Sequence, residues 1–209
     1  MPHAVTIRPA RAVRTGIRAL WDRLEEAGVP LGFDRALIEP HVTLAVVETD
    51  ADGDARHMPL SLEAWCRRFA AALPRFPLHF LTIGVFPGEQ GSVLFLGVPA
   101  SGPLGEAYTA FHQGLPPDCH VTDEVYGSAL WMPHVTLALG LDAAALESAL
   151  RVAARVFRPM SSDAADLELY ELFPVQRVLR IALGPCGCGQ EKQACSHCER
   201  IRFSQPLSS

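Results

Sequence analysis

The chain has 209 residues, 49% of them apolar and 20% charged, with a formal net charge of -5. That is the composition of a folded protein with its own core, large enough for one domain or two small lobes. The acidic balance speaks against tracking long duplex nucleic acid, no apolar run reaches bilayer length, and "MPHAVTIRPA" lacks a basic segment before an apolar one, so a cytoplasmic protein without a membrane partner is expected.

In chain order, residues 3–9 read as a strand. Residues 11–28 follow as a helix, with Val13, Ile17, Leu20, Trp21 and Leu24 at helical spacing and Gly28 as its stop. A strand rich in β-branched residues covers 41–48, and a polar loop covers 49–59. Asp50, Asp52 and Asp54 in that loop resemble the start of a calcium loop. Ala55 and Ser61 stand where the glycine and glutamate would be required, so a solvated loop is expected.

A helix at 60–73 closes at Pro74, and strands at 78–86 and 92–98 flank a Pro-Gly-Glu-Gln-Gly turn. A helix at 103–115, a turn-rich passage and a strand from His134 come next. An Ala-rich helix at about 142–157 and a hairpin of 166–173 with 177–184 around Pro174 complete the pattern. The second half repeats the first in outline. The expectation is an α+β fold of duplicated β-α-β units, its two mainly antiparallel sheets forming two lobes about a central cleft over 1–184, with a Cys-rich tail at 185–209.

"PHVTLAV" at 40–46 returns as "PHVTLAL" at 133–139. Strand alternation puts His41, Thr43 and Ala45 on one face, and His134, Thr136 and Ala138 on one face of the second copy. His and Thr then lie about 7 Å apart, near enough for one phosphate to touch both, and the alanines are expected to leave room for it. Two imidazoles facing each other across a cleft suit phosphoryl transfer without a metal, one accepting a proton from water and one donating to the leaving oxygen. The threonine hydroxyls would hold the non-bridging oxygens. Near-symmetric motifs leave open which histidine is base and which is acid.

The paired H-x-T motifs, with the strand "VLFLGV" at 93–98 and the order of elements from about 3 to 184, resemble the 2H phosphoesterase superfamily in its bacterial 2′-5′ RNA ligase-like (LigT-like) branch. The resemblance implies a bilobal α+β fold, with His41 and His134 catalytic and Thr43 and Thr136 binding phosphate. It also implies hydrolysis of 2′,3′-cyclic phosphates of nucleotides or RNA ends, with 2′-5′ ligation as the reverse reaction. Two other classes stay open: a nucleotide- or RNA-end-binding module without turnover, and an interaction protein acting through a zinc-binding tail. A pure phosphate grip would favour Arg or Lys over neutral imidazoles, which favours the enzyme.

A third His-x-Thr, His120 to Thr122 in "CHVTDEV", has no alternating apolar face and is expected in a loop. His3, His79 and His112 are expected in surface or packing roles. Phe86, Phe95, Tyr126, Tyr170 and Phe173 could stack on a base, with most expected to serve the core. Arg177 and Arg180, three apart on a strand, should fall on opposite faces, leaving at most one to reach a phosphate. Six cysteines without a leader read as reduced thiols or metal ligands. Cys186, Cys188, Cys195 and Cys198, with His197 as a substitute, have the spacing of a structural zinc site, although the segment lacks an apolar pattern and reads better as a flexible thiol-bearing tail. Catalysis is expected to require no cofactor in either case.

Overall fold

A computed structural model describes residues 2–49, 60–122 and 131–184. The acidic loop at 50–59, Tyr126 and the cysteine tail from Pro185 lie outside the described residues. In chain order the elements are β1 His3–Pro9, α1 Arg11–Glu26, β2 Val42–Thr49, α2 Leu60–Ala72, β3 Pro77–Phe80, β4 Thr82–Phe86 and β5 Ser92–Gly97. They continue with α3 Pro103–Gln113, β6 Cys119–Val121, β7 His134–Leu141, α4 Ala143–Val156, β8 Met160–Leu172 and β9 Val175–Ala182. Among the described residues no helix is long and apolar enough to cross a membrane.

The helices form where the apolar periodicity put them. In α1 the buried stripe is Val13, Ile17, Leu20, Trp21 and Leu24, and the chain leaves the helix through Gly28 at φ 76°. At the start of α4 the Asp142 carboxylate accepts from the Ala145 amide at 2.8 Å and caps the first turn. Pro103 opens α3, where its missing N–H costs nothing.

Two antiparallel sheets carry the fold. The larger runs β3-β8-β1-β2-β6, with β9 also paired to β8; the smaller runs β4-β5-β7. The helices α2 and α3 pack on the larger sheet, while α1 and α4 pack on each other and against β7. This leaves one face of each sheet turned toward the other, with the two repeated motifs on β2 and β7.

Three expectations need correction. The strand expected at 78–86 is two strands in different sheets, because its halves pair with different partners: Phe80 lies opposite Met160 on β8, whereas Thr82 lies opposite Gly97 on β5. Leu81 is the hinge residue, its amide donating to the Gly97 carbonyl at 3.1 Å. Residues 119–121, expected in a loop, form β6, which uses backbone bonds to the edge of β2 and so needs no alternating apolar face. β8 begins at Met160, earlier than the apolar pattern suggests, since its polar first residues pair with β3.

Candidate active site

Both motifs carry a β-bulge at the same letter. On β2, Val42 and Thr43 pair with Ile7 and Thr6, but the next partner of Val5 is Ala45, leaving Leu44 as the extra residue. On β7, Thr136 faces Phe95 and Ala138 faces Leu94, leaving Leu137 extra. A bulge reverses the alternation beyond it. The alanines therefore do not share the face of His and Thr: Ala45 and Ala138 are fully buried in the core, opposite Val5 and Leu94. The space beside each threonine comes from the strand changing face, not from a small side chain there.

His41, Thr43, His134 and Thr136 all line one cavity of about 180 Å³, walled by Trp21, Phe33, Ile38 and Leu139. At roughly 30 Å³ per water this holds a phosphate group and an attacking water but does not enclose a nucleotide. Each histidine is held the same way. His41 Nδ1 lies 2.7 Å from the Glu39 carbonyl, and His134 Nδ1 lies 2.7 Å from the Met132 carbonyl. A carbonyl only accepts, so both rings carry their proton on Nδ1 and keep Nε2 as the basic nitrogen when neutral.

Two tryptophans brace the motif strands from opposite halves of the chain. Trp21 on α1 donates to the Thr136 carbonyl at 3.2 Å, and Trp131 donates to the Thr43 carbonyl at 3.1 Å. Trp131 in turn stacks on Tyr108 of α3 at 4.0 Å. His112 donates to the carbonyl of the bulge residue Leu44 at 3.1 Å, and His79 pairs with Ser161, so both serve structure as expected. His3 is buried in β1.

Burial pushes the His41 imidazole below its ordinary value, opposed by the Glu39 carbonyl and the negative charge of Glu168. Burial also pushes His134 down, opposed by the Met132 carbonyl, and the proximity of His41 lowers it further. Both shifts favour the neutral rings in the free protein, and an anion between the rings would oppose them.

The surroundings of the two histidines differ. Register puts Gly97, Phe95, Thr82, Gly84 and Phe86 on the same side of the small sheet as His134 and Thr136. Phe86 stacks on Phe95 at 4.1 Å and meets the His134 ring edge-on at 4.9 Å. A Cβ at Gly84 would lie 2.3 Å from the Phe95 ring and one at Gly97 2.5 Å from Thr82 Oγ1, so either would force the facing side chain to shift. Over these glycines runs an open groove of about 380 Å³ with Leu81 and Met132 on its rim. Among the base-stacking aromatics considered above, Phe86 is half-buried beside the site, Phe95 is core, and Phe173 is exposed at the cis bond before Pro174.

On the larger sheet the face of His41 and Thr43 continues through Thr6 to Glu168 and on to Arg180. Tyr170, with its ring 5.9 Å from that of His41, donates to Glu168 at 3.0 Å, and its own hydroxyl is pushed up to about 12 by burial and by Glu168. Arg177 and Arg180 are not on opposite faces. A bulge at Val178 on β9 sets Arg177 across from Tyr170 and Arg180 across from Glu168, and both guanidiniums reach the Glu168 carboxylate, at 3.5 and 2.6 Å. Trp21, Trp131, Glu168 and Arg8 were not singled out in the sequence as parts of a site. The alternation of Asp166, Glu168 and Tyr170 with leucines was the one signal of a polar face there.

Among the described residues no three His, Cys, Asp or Glu side chains are grouped to hold a metal ion. Comparison with known proteins agrees with the fold. TT0787 of Thermus thermophilus is 19% identical with a TM-score of 0.54, over 88% of this chain and 99% of that one. E. coli LigT complexed with 3′-AMP is 14% identical with a TM-score of 0.50, over 87% and 97%. Kluyveromyces marxianus Usb1 is 13% identical with a TM-score of 0.51, over 88% and 97%. These likenesses are of fold, and no curated protein matches the sequence. A family model described as the 2'-5' RNA ligase superfamily matches residues 4–172, most of the chain, and the protein belongs to that superfamily, the 2H phosphoesterases.

Proposed function

We propose that this chain is a metal-independent phosphodiesterase that opens 2′,3′-cyclic phosphates of nucleotides or RNA ends, with His41 and His134 as acid and base and Thr43 and Thr136 binding the phosphate. The observation that carries the reading is the matched pair of imidazoles on one small cavity, each with Nδ1 tied to the carbonyl two residues upstream, which leaves Nε2 for proton transfer. One neutral Nε2 takes a proton from water as its oxygen attacks phosphorus. The P–O3′ bond breaks, the other ring donates its proton to the 3′ oxygen, and a 2′-phosphomonoester results. Each proton transfer is worth roughly 10²- to 10⁴-fold in rate.

The cavity takes the phosphate, and the base extends beyond it. The glycine-floored groove beside His134 supplies an apolar seat for the base, with Phe95 in its wall. The solved complex of the structurally similar LigT with 3′-AMP supports a nucleotide as the ligand class. Run in reverse, the same chemistry joins RNA ends through a 2′-5′ bond.

The test is hydrolysis of the four nucleoside 2′,3′-cyclic monophosphates between pH 5 and 9 with EDTA present, for wild type, His41→Ala and His134→Ala. Bell-shaped activity that survives EDTA and collapses in both variants is expected. Activity abolished by EDTA, or retained by either folded variant, would refute the mechanism.

A further inference from the structure

We infer that the arginines on the His41 side of the cleft form a second anion site, which takes a phosphate of the substrate other than the one being cleaved. The inference rests on the cyclic-phosphate reading and extends it to the substrate class: an end carrying at least one more phosphate is preferred over a bare nucleoside cyclic phosphate.

Among the described residues, five guanidiniums share three carboxylates here. Arg8 pairs with Asp166 at 2.7 Å and approaches Glu168 at 3.7 Å, Arg180 and Arg177 converge on the same Glu168, and Arg14 and Arg18 share Glu39 at 3.4 and 2.5 Å. The local balance is positive in a chain whose overall charge is -5. Glu168 is fully buried, and a single well-placed guanidinium would compensate it. Arg180 at 2.6 Å does so. Arg177, 3.5 Å away and 38% exposed, is surplus to that need. The crowding shows in Arg14, whose guanidinium is held below its usual range by burial and by Arg8. Like charges gathered beside a cleft are costly in the free protein and become favourable once an anion arrives.

The placement fits one substrate. Thr43, Thr6, Glu168 and Arg180 stand in line on successive strands β2, β1, β8 and β9, all on the cleft face. The Arg180 guanidinium sits over β8, two strand spacings or roughly 10 Å from the histidine strand, within reach of a phosphate one ribose away from the cleaved one while the base lies over the groove beside His134. The Tyr170 ring fills the interval, so the floor is continuous from His41 to the arginines. The second phosphate is either the 5′-phosphate of a mononucleotide or the next phosphodiester of a longer chain; both offer a pair of non-bridging oxygens to a guanidinium fork, the monoester with the larger charge.

Calorimetry separates the sources and does not depend on turnover. The ligands are adenosine 3′-monophosphate, adenosine 3′,5′-bisphosphate and a diadenosine dinucleotide with a 3′-terminal phosphate, titrated into wild type and Arg177→Gln at two salt concentrations. Arg177→Lys is a charge-retaining control, and a thermal melt confirms folding. The bisphosphate, the dinucleotide, or both should bind about tenfold or more tighter than the monophosphate. That advantage should shrink with salt and fall severalfold in Arg177→Gln, with partial recovery in Arg177→Lys. Equal affinity for all three ligands, no binding of either two-phosphate ligand by folded wild type, or an advantage untouched by Arg177→Gln would overturn the inference. Tight two-phosphate binding without cyclic-phosphate turnover would leave this site standing while refuting the hydrolytic reading.

Discussion

Replacing Trp131 with Phe isolates what the indole braces contribute. The phenyl ring keeps a stack on Tyr108 but loses the N–H that reaches the Thr43 carbonyl at 3.1 Å. A net hydrogen bond is worth about 1 kcal/mol, and a carbonyl left without its partner in this half-buried position costs about 1–3 kcal/mol. The smaller ring leaves a void in a side chain only 8% exposed, which adds roughly 1 kcal/mol. The combined loss of about 2–4 kcal/mol corresponds to a drop of roughly 5–15 °C in Tm for a domain of this size. Because Thr43 sits between His41 and the bulge, the slackened strand should also lower kcat, by about tenfold, since misplacement by 1 Å costs on the order of 10²-fold. Urea denaturation gives the stability and steady-state kinetics on a cyclic nucleotide gives the rate, with KM moving less than kcat. An unchanged urea midpoint together with an unchanged kcat would show that the indole bond braces nothing.

Thr43→Val and Thr136→Val should each lower kcat by about 10²- to 10³-fold while the serine variants keep most of it; valine variants as active as wild type would remove the hydroxyls from phosphate binding. Ala45→Leu should destabilise by about 1–3 kcal/mol in urea, because that position is fully buried; neutral stability with a raised KM would return the alanine to the cleft. Both histidines are held below the ordinary value of 6.5, so kcat/KM, which reports the free enzyme, should peak below pH 6.5, while kcat shifts upward as bound phosphate favours the protonated ring. A kcat/KM optimum above pH 7.5 would contradict this. Pro133→Ala frees the backbone of Met132, whose carbonyl fixes the His134 ring, and should lower kcat severalfold at a stability cost of about 1 kcal/mol; ring ¹⁵N shifts identical to wild type would count against that role.

Local pattern was enough to place the helices and the motif strands, because apolar spacing in α1 and alternation up to Thr43 depend only on neighbours in sequence. It failed wherever a partner strand decided the register. Leu81 looks like one more strand residue until β3 and β4 are seen to pair with different sheets. Arg177 and Arg180 look opposed until the extra residue at Val178 is counted, and that count exists only in the pairing with β8. Trp21 read as an ordinary core position of an amphipathic helix, which it is; nothing in helical spacing says that its N–H reaches the backbone of a strand 115 residues away.

The same reasoning explains why six letters of the motif repeat when only two are polar. Proline restricts the residue before it to an extended backbone, and that residue's carbonyl is the one that accepts the histidine Nδ1 proton, so Pro40 and Pro133 help set the tautomer. Val42 and Val135 are buried and anchor the strand between the two polar side chains. The leucine is the bulge residue, buried in both copies, and the alanine is the first residue on the reversed register, turned into the core. An alternating strand would have gone on presenting side chains to the cleft immediately past the threonine. The bulge turns the next position inward instead, keeping the imidazole and hydroxyl at the edge of a cavity of phosphate size.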